Sequence, residues 1–204
     1  MAANSLLNFT VPIGTTGETT SSQGLLMPKL KYRYRVLFIG FGVSTDTTEL
    51  TRQVQDFKRP SVKFEEQVID VYNSKVHYPG KPSWDATNIT LRDDMQGSIQ
   101  TLVGEQMQKQ FDFANQVSAS SASDVKFTTE CDMLDGGNGS VDATILESWT
   151  LVGCYVSSAD YDQVDYKSSE PVTVKLNIVF DNAIQTSTGI GTTSITRTTG
   201  TLAI

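Results

Sequence analysis

From Val125 to Met133 the side chains alternate without a break: Val125, Phe127, Thr129, Cys131 and Met133 face one way, and Lys126, Thr128, Glu130 and Asp132 face the other. A period of two sustained this long fits an extended strand with one face turned inward, and no helix. Asp135, Gly136, Gly137, Asn138 and Gly139 follow at once. Glycine and asparagine tolerate positive φ, so the chain reverses there in a hairpin. The return strand is expected over about Val141 to Val156, through Ile145, Leu146, Trp149, Leu151, Val152 and Tyr155. Its length predicts a bulge or a change of sheet near Gly153.

The same period recurs elsewhere. In Leu30 to Gly40, Tyr32, Tyr34, Val36 and Phe38 alternate with Arg33, Arg35, Leu37 and Ile39. In Pro171 to Phe180, Val172, Val174, Leu176, Ile178 and Phe180 point inward. Glu49 to Phe57 reads as a weaker, polar strand, the kind that sits at a sheet edge or faces water. Pro60 to Asp94 reads as strand, long loop and strand. Val62, Phe64, Glu66, Val68, Asp70 and Tyr72 share one face of the first strand, with Lys63, Glu65, Gln67, Ile69 and Val71 on the other; Asp85 to Asp93 forms the second. Between them, Asn73 to Ser83 carries Pro79, Gly80 and Pro82, which set turn geometry and do not belong in a central strand. A connection of about eleven residues is long where hairpins close in roughly two to five, and with Lys75, His77, Tyr78, Lys81 and the adjoining Trp84 it calls for a second surface to rest on.

One helix is expected. Asp93 and Asp94 offer an N-cap and a favourable charge at its start. Ile99, Leu102, Val103, Met107, Phe111, Ala114 and Val117 then fall on one side at helical spacing over about 20 residues, a core-packing stripe. Residues 1–29 hold only Glu18 and Lys29 as charges, and Leu6, Leu7, Phe9 and Val11 could anchor this arm on a neighbour. After Ala183 the only charge is Arg197, which leaves two readings open: a disordered tail, or a clamp that orders between subunits. The expected architecture is mainly β: an antiparallel barrel or sandwich over 30–183 with one flanking helix and a long hairpin loop, between extended arms at 1–29 and 184–204.

Composition narrows the chemistry. No apolar run approaches the roughly 20 residues of a membrane span. The first residues, MAANSLLNFTVPIG, lack the basic and apolar regions of a secretory signal, so assembly in a cytoplasm is expected. Sixteen basic against 23 acidic residues give a net charge of −7, the wrong sign for gripping phosphates. Cys131 and Cys154 do not make a disulfide framework, since a tight turn places residue 131 opposite about residue 144. The one histidine, His77, has no cysteine near it for a metal site and no G-x-S-x-G elbow to serve, and Gly189 to Gly191 lacks the strand and helix of a dinucleotide fingerprint. No catalytic residues, metal or cofactor are expected, and no enzyme.

Two blocks carry a more specific signal. Phe64, Glu65, Glu66, Tyr72, Asn73, Ser74, Gly80, Lys81, Trp84, Asp93 and Asp94 form the first. The second runs through Met133 to Gly136, Leu146 to Trp149, Gly153, Cys154, Tyr166, Ser168 to Glu170, Phe180 and Asp181. In order and spacing these resemble the tail tube proteins of contractile-tailed bacteriophages, over about residues 30 to 183. The resemblance implies a structural subunit without catalysis, whose hexameric rings stack into the inner tube of a virion tail. Its partners would be itself, the sheath, and baseplate and tail terminator proteins, with double-stranded DNA passing through unbound on ejection into the host. Such a tube is assembled in the host bacterial cytoplasm. If each copy gives about four strands, about 24 strands at roughly 4.8 Å, tilted about 40°, close at a backbone diameter of roughly 48 Å, wide enough for a duplex.

On this reading Lys75, His77, Tyr78, Lys81 and Trp84 are the candidate ring-to-ring contacts. Glu65, Gln67, Glu130 and Asp132 are the lumen candidates, chosen by strand parity. Two alternatives remain on the same fold: the tube of a phage-derived contractile injection system, and a baseplate protein that initiates the tube. A third, of another class, is a carbohydrate-binding β-sandwich that uses Tyr72, Tyr78 and Trp84 as a stacking platform.

Overall fold

Extended backbone dominates the residues described by this computed structural model, 28–43, 46–136, 143–186 and 190–191. The proposed anchors Leu6 to Val11, the glycines 137 and 139 of the reversal, and Arg197 lie outside them. Residues 28–33 hold one turn, closed by the Arg33 N–H donating to the Leu30 carbonyl at 3.2 Å. In order, the elements are β1 (Tyr34–Ile39), α1 (Thr48–Gln53), β2 (Val54–Phe57), β3 (Ser61–Val71), β4 (Ser74–Asp85), β5 (Thr87–Arg92), α2 (Ser98–Gln110), β6 (Phe111–Asp112), β7 (Val117–Ser118), α3 (Ala122–Val125), β8 (Phe127–Leu134), β9 (Ile145–Tyr161), β10 (Thr173–Val179) and β11 (Asn182–Thr186). Among the described residues seven strands join in the order β1-β8-β9-β10-β5-β2, with β11 added on β9; β3 pairs only with β4, and β6 only with β7. Every pairing is antiparallel.

β9 holds the two halves of the sheet together. Up to Cys154 it pairs with β8, and Ser148–Val152 carry β11 along the opposite edge; from Tyr155 onward its partner is β10. The change of partner comes at Gly153, as its place in an overlong strand predicts. Its φ is +73°, and a Cβ there would run into the Asp181 carboxylate, which is itself ion-paired with Lys126. β11 spans residue 183, so sheet pairing continues past the expected end of the domain.

The inward side chains make one core. Val36, Phe38, Cys131 and Leu151 meet Ile89, Leu91, Val174, Leu176 and Ile178, and Ile99, Leu102 and Val103 of α2 join them, all buried. Phe41 stands edge-on between Phe38 and Phe127, with ring centroids 5.4 and 4.9 Å away. Gln106 takes a core position that the spacing assigns to an apolar residue. It is satisfied there, accepting from the Gly42 N–H at 2.7 Å and donating to the Val125 carbonyl at 2.9 Å. One turn on, the Gln110 carboxamide meets both the N–H and the carbonyl of Val156, at 2.9 and 2.8 Å.

Five expectations change. The loop at Asn73 to Ser83 is a strand, because β3 and β4 close through a two-residue turn and form a ribbon. Both strands of a lone ribbon have a free edge, so Pro79 and Pro82 can be accommodated, with the register shift between Phe64 and Glu66 beside them. Glu49 does not begin a strand. Asp46 accepts the Thr48 N–H at 3.0 Å, and one short helix, α1, buries Leu50 before β2 starts. α2 stops at Gln110 rather than near Val117, because the Asp112 carboxylate accepts the Ala114 and Asn115 N–H groups and turns the chain. With α3, three helices rather than one flank the sheet among the described residues. Finally, Cys131 lies opposite Trp149 rather than near 144, because the connection closes with Asp135 donating to Thr144; both cysteines are free.

Gly153→Ala forces a Cβ into the left-handed region and against Asp181, and is expected to destabilise the fold by about 1–3 kcal/mol. A urea midpoint unchanged from wild type would show that the change of sheet does not depend on glycine.

Candidate assembly surface

The β3–β4 ribbon has two unlike faces. In antiparallel pairing, directly opposed residues share a face. Past the register shift, Gln67 lies opposite Tyr78 and Ile69 opposite Val76, with Val71 next on the same side. Ile69, Val71, Val76 and Tyr78 are 50, 48, 51 and 46% exposed. The reverse face carries charge around one apolar side chain, Val68, which lies opposite His77 and is 47% exposed. Asp70 sits opposite Lys75, their ion pair spanning 3.3 Å, and His77 Nδ1 meets Glu66 Oε1 at 2.5 Å. At the tip Tyr72 is fully exposed with a φ of +45°, a conformation that two-residue turns normally give to glycine or asparagine.

The root of the ribbon is anchored. Trp84 packs on Phe180 with ring centroids 5.7 Å apart, and Lys63 bonds Asp85 at 2.9 Å. Just before β3, Arg59 lies 3.5 Å from the Glu147 carboxylate, which is buried and also accepts from Trp149 Nε1 at 2.6 Å and Gln185 Nε2 at 3.0 Å. The apolar side at the root, Val62, Phe64 and Trp84, is continuous with the charged side further out. The apolar side of the tip is therefore the opposite face of the ribbon.

The predicted contact residues thus separate. Lys75 and His77 share the charged face, Tyr78 belongs to the apolar face, Lys81 is exposed near the register shift, and Trp84 is partly buried at the root. Ile69, Val71 and Val76 belong to the surface but escape a search for charged and aromatic residues; strand parity is the signal that finds them. Of the lumen candidates, Glu65 and Gln67 are on the ribbon and Glu130 is half-buried on β8. Asp132 is no surface residue: it is 2% exposed and bonded by Arg35, directly opposite on β1, at 2.8 Å. Parity points it away from Cys131, but both faces of β8 are covered there. The proposed stacking platform does not form, since Tyr72, Tyr78 and Trp84 are spread from tip to root. Among the described residues no three His, Cys, Asp or Glu side chains gather as a metal-ligand group.

A second polar surface lies on the main sheet. Across β2, β5, β10 and the outer part of β9, Asp56 stands opposite Thr90, Thr90 opposite Lys175, and Lys175 opposite Asp160. The neighbouring row runs Asn88, Asn177 and Ser158. Together they line a depression of about 460 Å³.

Solved structures share this fold. A chain of the six-fold symmetrised cryo-EM structure of the anti-feeding prophage baseplate matches 79% of this chain and 97% of its own length, with a TM-score of 0.55 and 11% identity. The fold is that of a contractile injection system chain. A chain of the anti-feeding prophage tube-terminating cap matches 81% of this chain and 95% of its own, with a TM-score of 0.53 and 16% identity. A chain of the sheath-tube complex of the extracellular contractile injection system PVC matches 84% and 100%, with a TM-score of 0.51 and 16% identity. No family model and no curated protein sequence matches the chain.

Burial pushes the Cys131 thiol from its ordinary 9.0 up to about 12, with the Asp132 carboxylate adding to the effect, and raises Cys154 to about 11. Neither thiol is expected to react with a disulfide reagent at pH 8 until the protein unfolds. Unfolded thiols ionise near pH 9 while the folded ones keep their protons, so this contribution to stability is complete below pH 9 and declines as pH rises toward 11 to 12. Urea midpoints measured from pH 8 upward should fall; a flat profile in a Cys131→Ser, Cys154→Ser variant would assign the slope to these thiols.

Proposed function

We propose that this chain is the tube subunit of a contractile phage tail: copies close into hexameric rings, the rings stack inside a sheath between baseplate and terminator, and double-stranded DNA passes through the bore. The observation that carries this reading is the apolar tip of the ribbon. Strands of 11 and 12 residues reach roughly 35 Å, far enough to leave the parent domain and lie on a neighbouring copy. A surface of four half-exposed apolar side chains on such an arm is suited to being covered, at roughly 25 cal/mol gained per Å² of apolar area buried. Tyr78 contributes to that contact directly. Lys75, His77 and Lys81 border it with charge and set register, while Trp84 fixes the direction in which the ribbon leaves the core.

The main sheet supports ring formation. Beyond Gly153, β9, β10, β5 and β2 are four alternating strands, with β9 and β2 at the ends. Copies related by rotation keep the same strand directions. With an even number of strands, the last strand of one copy therefore runs opposite to the first of the next, and the copies can join edge to edge without breaking antiparallel order. Gln110 occupies that edge of β9 at Val156, which leaves the stretch from Ser158 to Tyr161 for a neighbour. Four strands from each of six copies make about 24, the count that admits a duplex. The net charge of −7 keeps such a bore from adhering to DNA.

A second reading, the tube or cap of a phage-derived injection system, draws on the shared fold of the anti-feeding prophage and PVC chains. Neighbouring genes separate the two: head and packaging genes mark a phage, toxin cargo an injection system.

The test is assembly. At rising concentration the full-length chain is expected to form hollow tubes in negative stain, while Ile69→Asp and Val76→Lys each remain folded monomers by circular dichroism and gel filtration. Normal tubes from both variants would remove the ribbon from the contact. A wild-type chain that stays monomeric and binds glycans would overturn the tube reading.

A further inference from the structure

The ribbon is a continuation of the β2–β5 pair, with a break between the two ladders. β2 pairs with β5 as far as Phe57 and Ile89, and the Lys58 N–H donates to the Asn88 carbonyl at 3.0 Å; pairing resumes at Ser61 and Asp85. Arg59 and Pro60 fill the break on one strand and Ala86 on the other. Proline has no N–H to give, so backbone pairing does not fix the angle at which the ribbon leaves the sheet. That angle matters, because a change of about 20° at the root carries a tip about 35 Å away through roughly 12 Å, more than the roughly 10 Å between packed sheets. Side chains set it instead. On the β4 strand Trp84 packs on Phe180. On the other, Arg59 reaches from the break to Glu147 at 3.5 Å, in the half of β9 that pairs with β8. A buried acid is not needed there for packing: Trp149 Nε1 and Gln185 Nε2 are neutral donors, and a glutamine oxygen would accept both. A buried carboxylate is costly unless a cation accompanies it, and Arg59, with its side chain 57% exposed, brings that cation to the break.

We infer that Arg59 and Glu147 form a latch that sets the direction of the ribbon, and are positioning residues for assembly. The inference rests on the tube reading for its purpose and adds to it the device that aims the contact surface. Both residues act through the ribbon and not by touching a neighbouring copy. The latch also separates folding from assembly. Removing Arg59 alone takes a counter-charge from a buried carboxylate and weakens the fold, whereas removing both charges leaves nothing uncompensated. With both charges gone the domain keeps its core and its ladders, and the ribbon loses its aim.

Three variants of the full-length chain test this: Arg59→Met, Arg59→Met combined with Glu147→Gln, and Arg59→Lys. Arg59→Met alone is expected to lower the urea midpoint, and the double variant to return it to the wild-type value. The double variant is nevertheless expected to need at least about tenfold more protein than wild type to form tubes in negative stain, while Arg59→Lys assembles within about threefold of wild type. Direction is read in the free subunit from the distance between spin labels at Ser74→Cys on the ribbon turn and Thr101→Cys on the exposed face of α2, with Cys131 and Cys154 buried and unlabelled. One narrow distribution is expected with Arg59 or with Arg59→Lys, and a broadened or displaced one in the double variant. An unchanged distribution in the double variant, tubes from it at the wild-type concentration, or an Arg59→Lys chain that behaves like it would each overturn the latch and leave the tube reading intact. A double variant whose midpoint stays as low as that of Arg59→Met would make the pair structural and overturn it equally. If the wild-type chain forms no tubes, the tube reading falls, and the distance distributions alone decide whether the pair directs the ribbon.

Discussion

Everything in the main sheet hangs on one strand that is too long to stay straight. Seventeen residues would extend roughly 55 Å, more than a domain of this size can back with core on one side. β9 resolves the conflict by turning at Gly153, where it exchanges β8 and β11 for β10. Because β9 pairs with three different strands, the two halves of the sheet share their backbone ladder as well as their core, and moving one half means straining the other. The Asp181 carboxylate fills the space a side chain would take at the turn, and its ion pair to Lys126 ties the strand after the turn to the strand before it. Glycine at 153 is thus a requirement of both backbone angle and room.

The ribbon stands in contrast to this well-backed sheet. Its root is held by Trp84 on Phe180 and by Arg59 on the buried Glu147, and the side-chain bonds of its outer part, Asp70 to Lys75 and Glu66 to His77, run within the ribbon among the described residues. Charge pairs occupy one face of that outer part and apolar residues the other, so the element is amphipathic at a place where its own domain offers no core. An isolated two-stranded ribbon is marginal in water. One that keeps both its register and its apolar face is most simply understood as half of an interface.

Much of this is written locally. The strand at Phe127–Leu134, the partner change at Gly153 and the inward Val174, Leu176 and Ile178 of β10 follow from alternation and from glycine in an overlong strand, whereas Val172, expected inward just before β10, is 43% exposed. The misreadings have physical causes. Pro79 and Pro82 signal a loop because proline cannot donate in a central strand, yet a ribbon consists only of edges. Phe111, Ala114 and Val117 keep helical spacing by coincidence, while the Asp112 carboxylate, bonding the backbone two and three residues on, decides where the helix ends. Asp132 looks outward by parity, and only the arrival of Arg35 on a strand distant in sequence makes it interior. Trp84 is partly covered by Phe180, far along the chain. No local pattern encodes such meetings, and the candidate surface therefore gains Ile69, Val71 and Val76 only once the ribbon's pairing is known.

Tyr72 shows where the chain departs from what would suit a solitary subunit. A bulky aromatic held at positive φ costs on the order of 1–3 kcal/mol and, being wholly exposed, recovers none of it inside the protein. Glycine at position 72 would take up the same φ without that penalty. On the proposed tube reading, a neighbouring copy that covers this turn would restore what the isolated subunit forgoes.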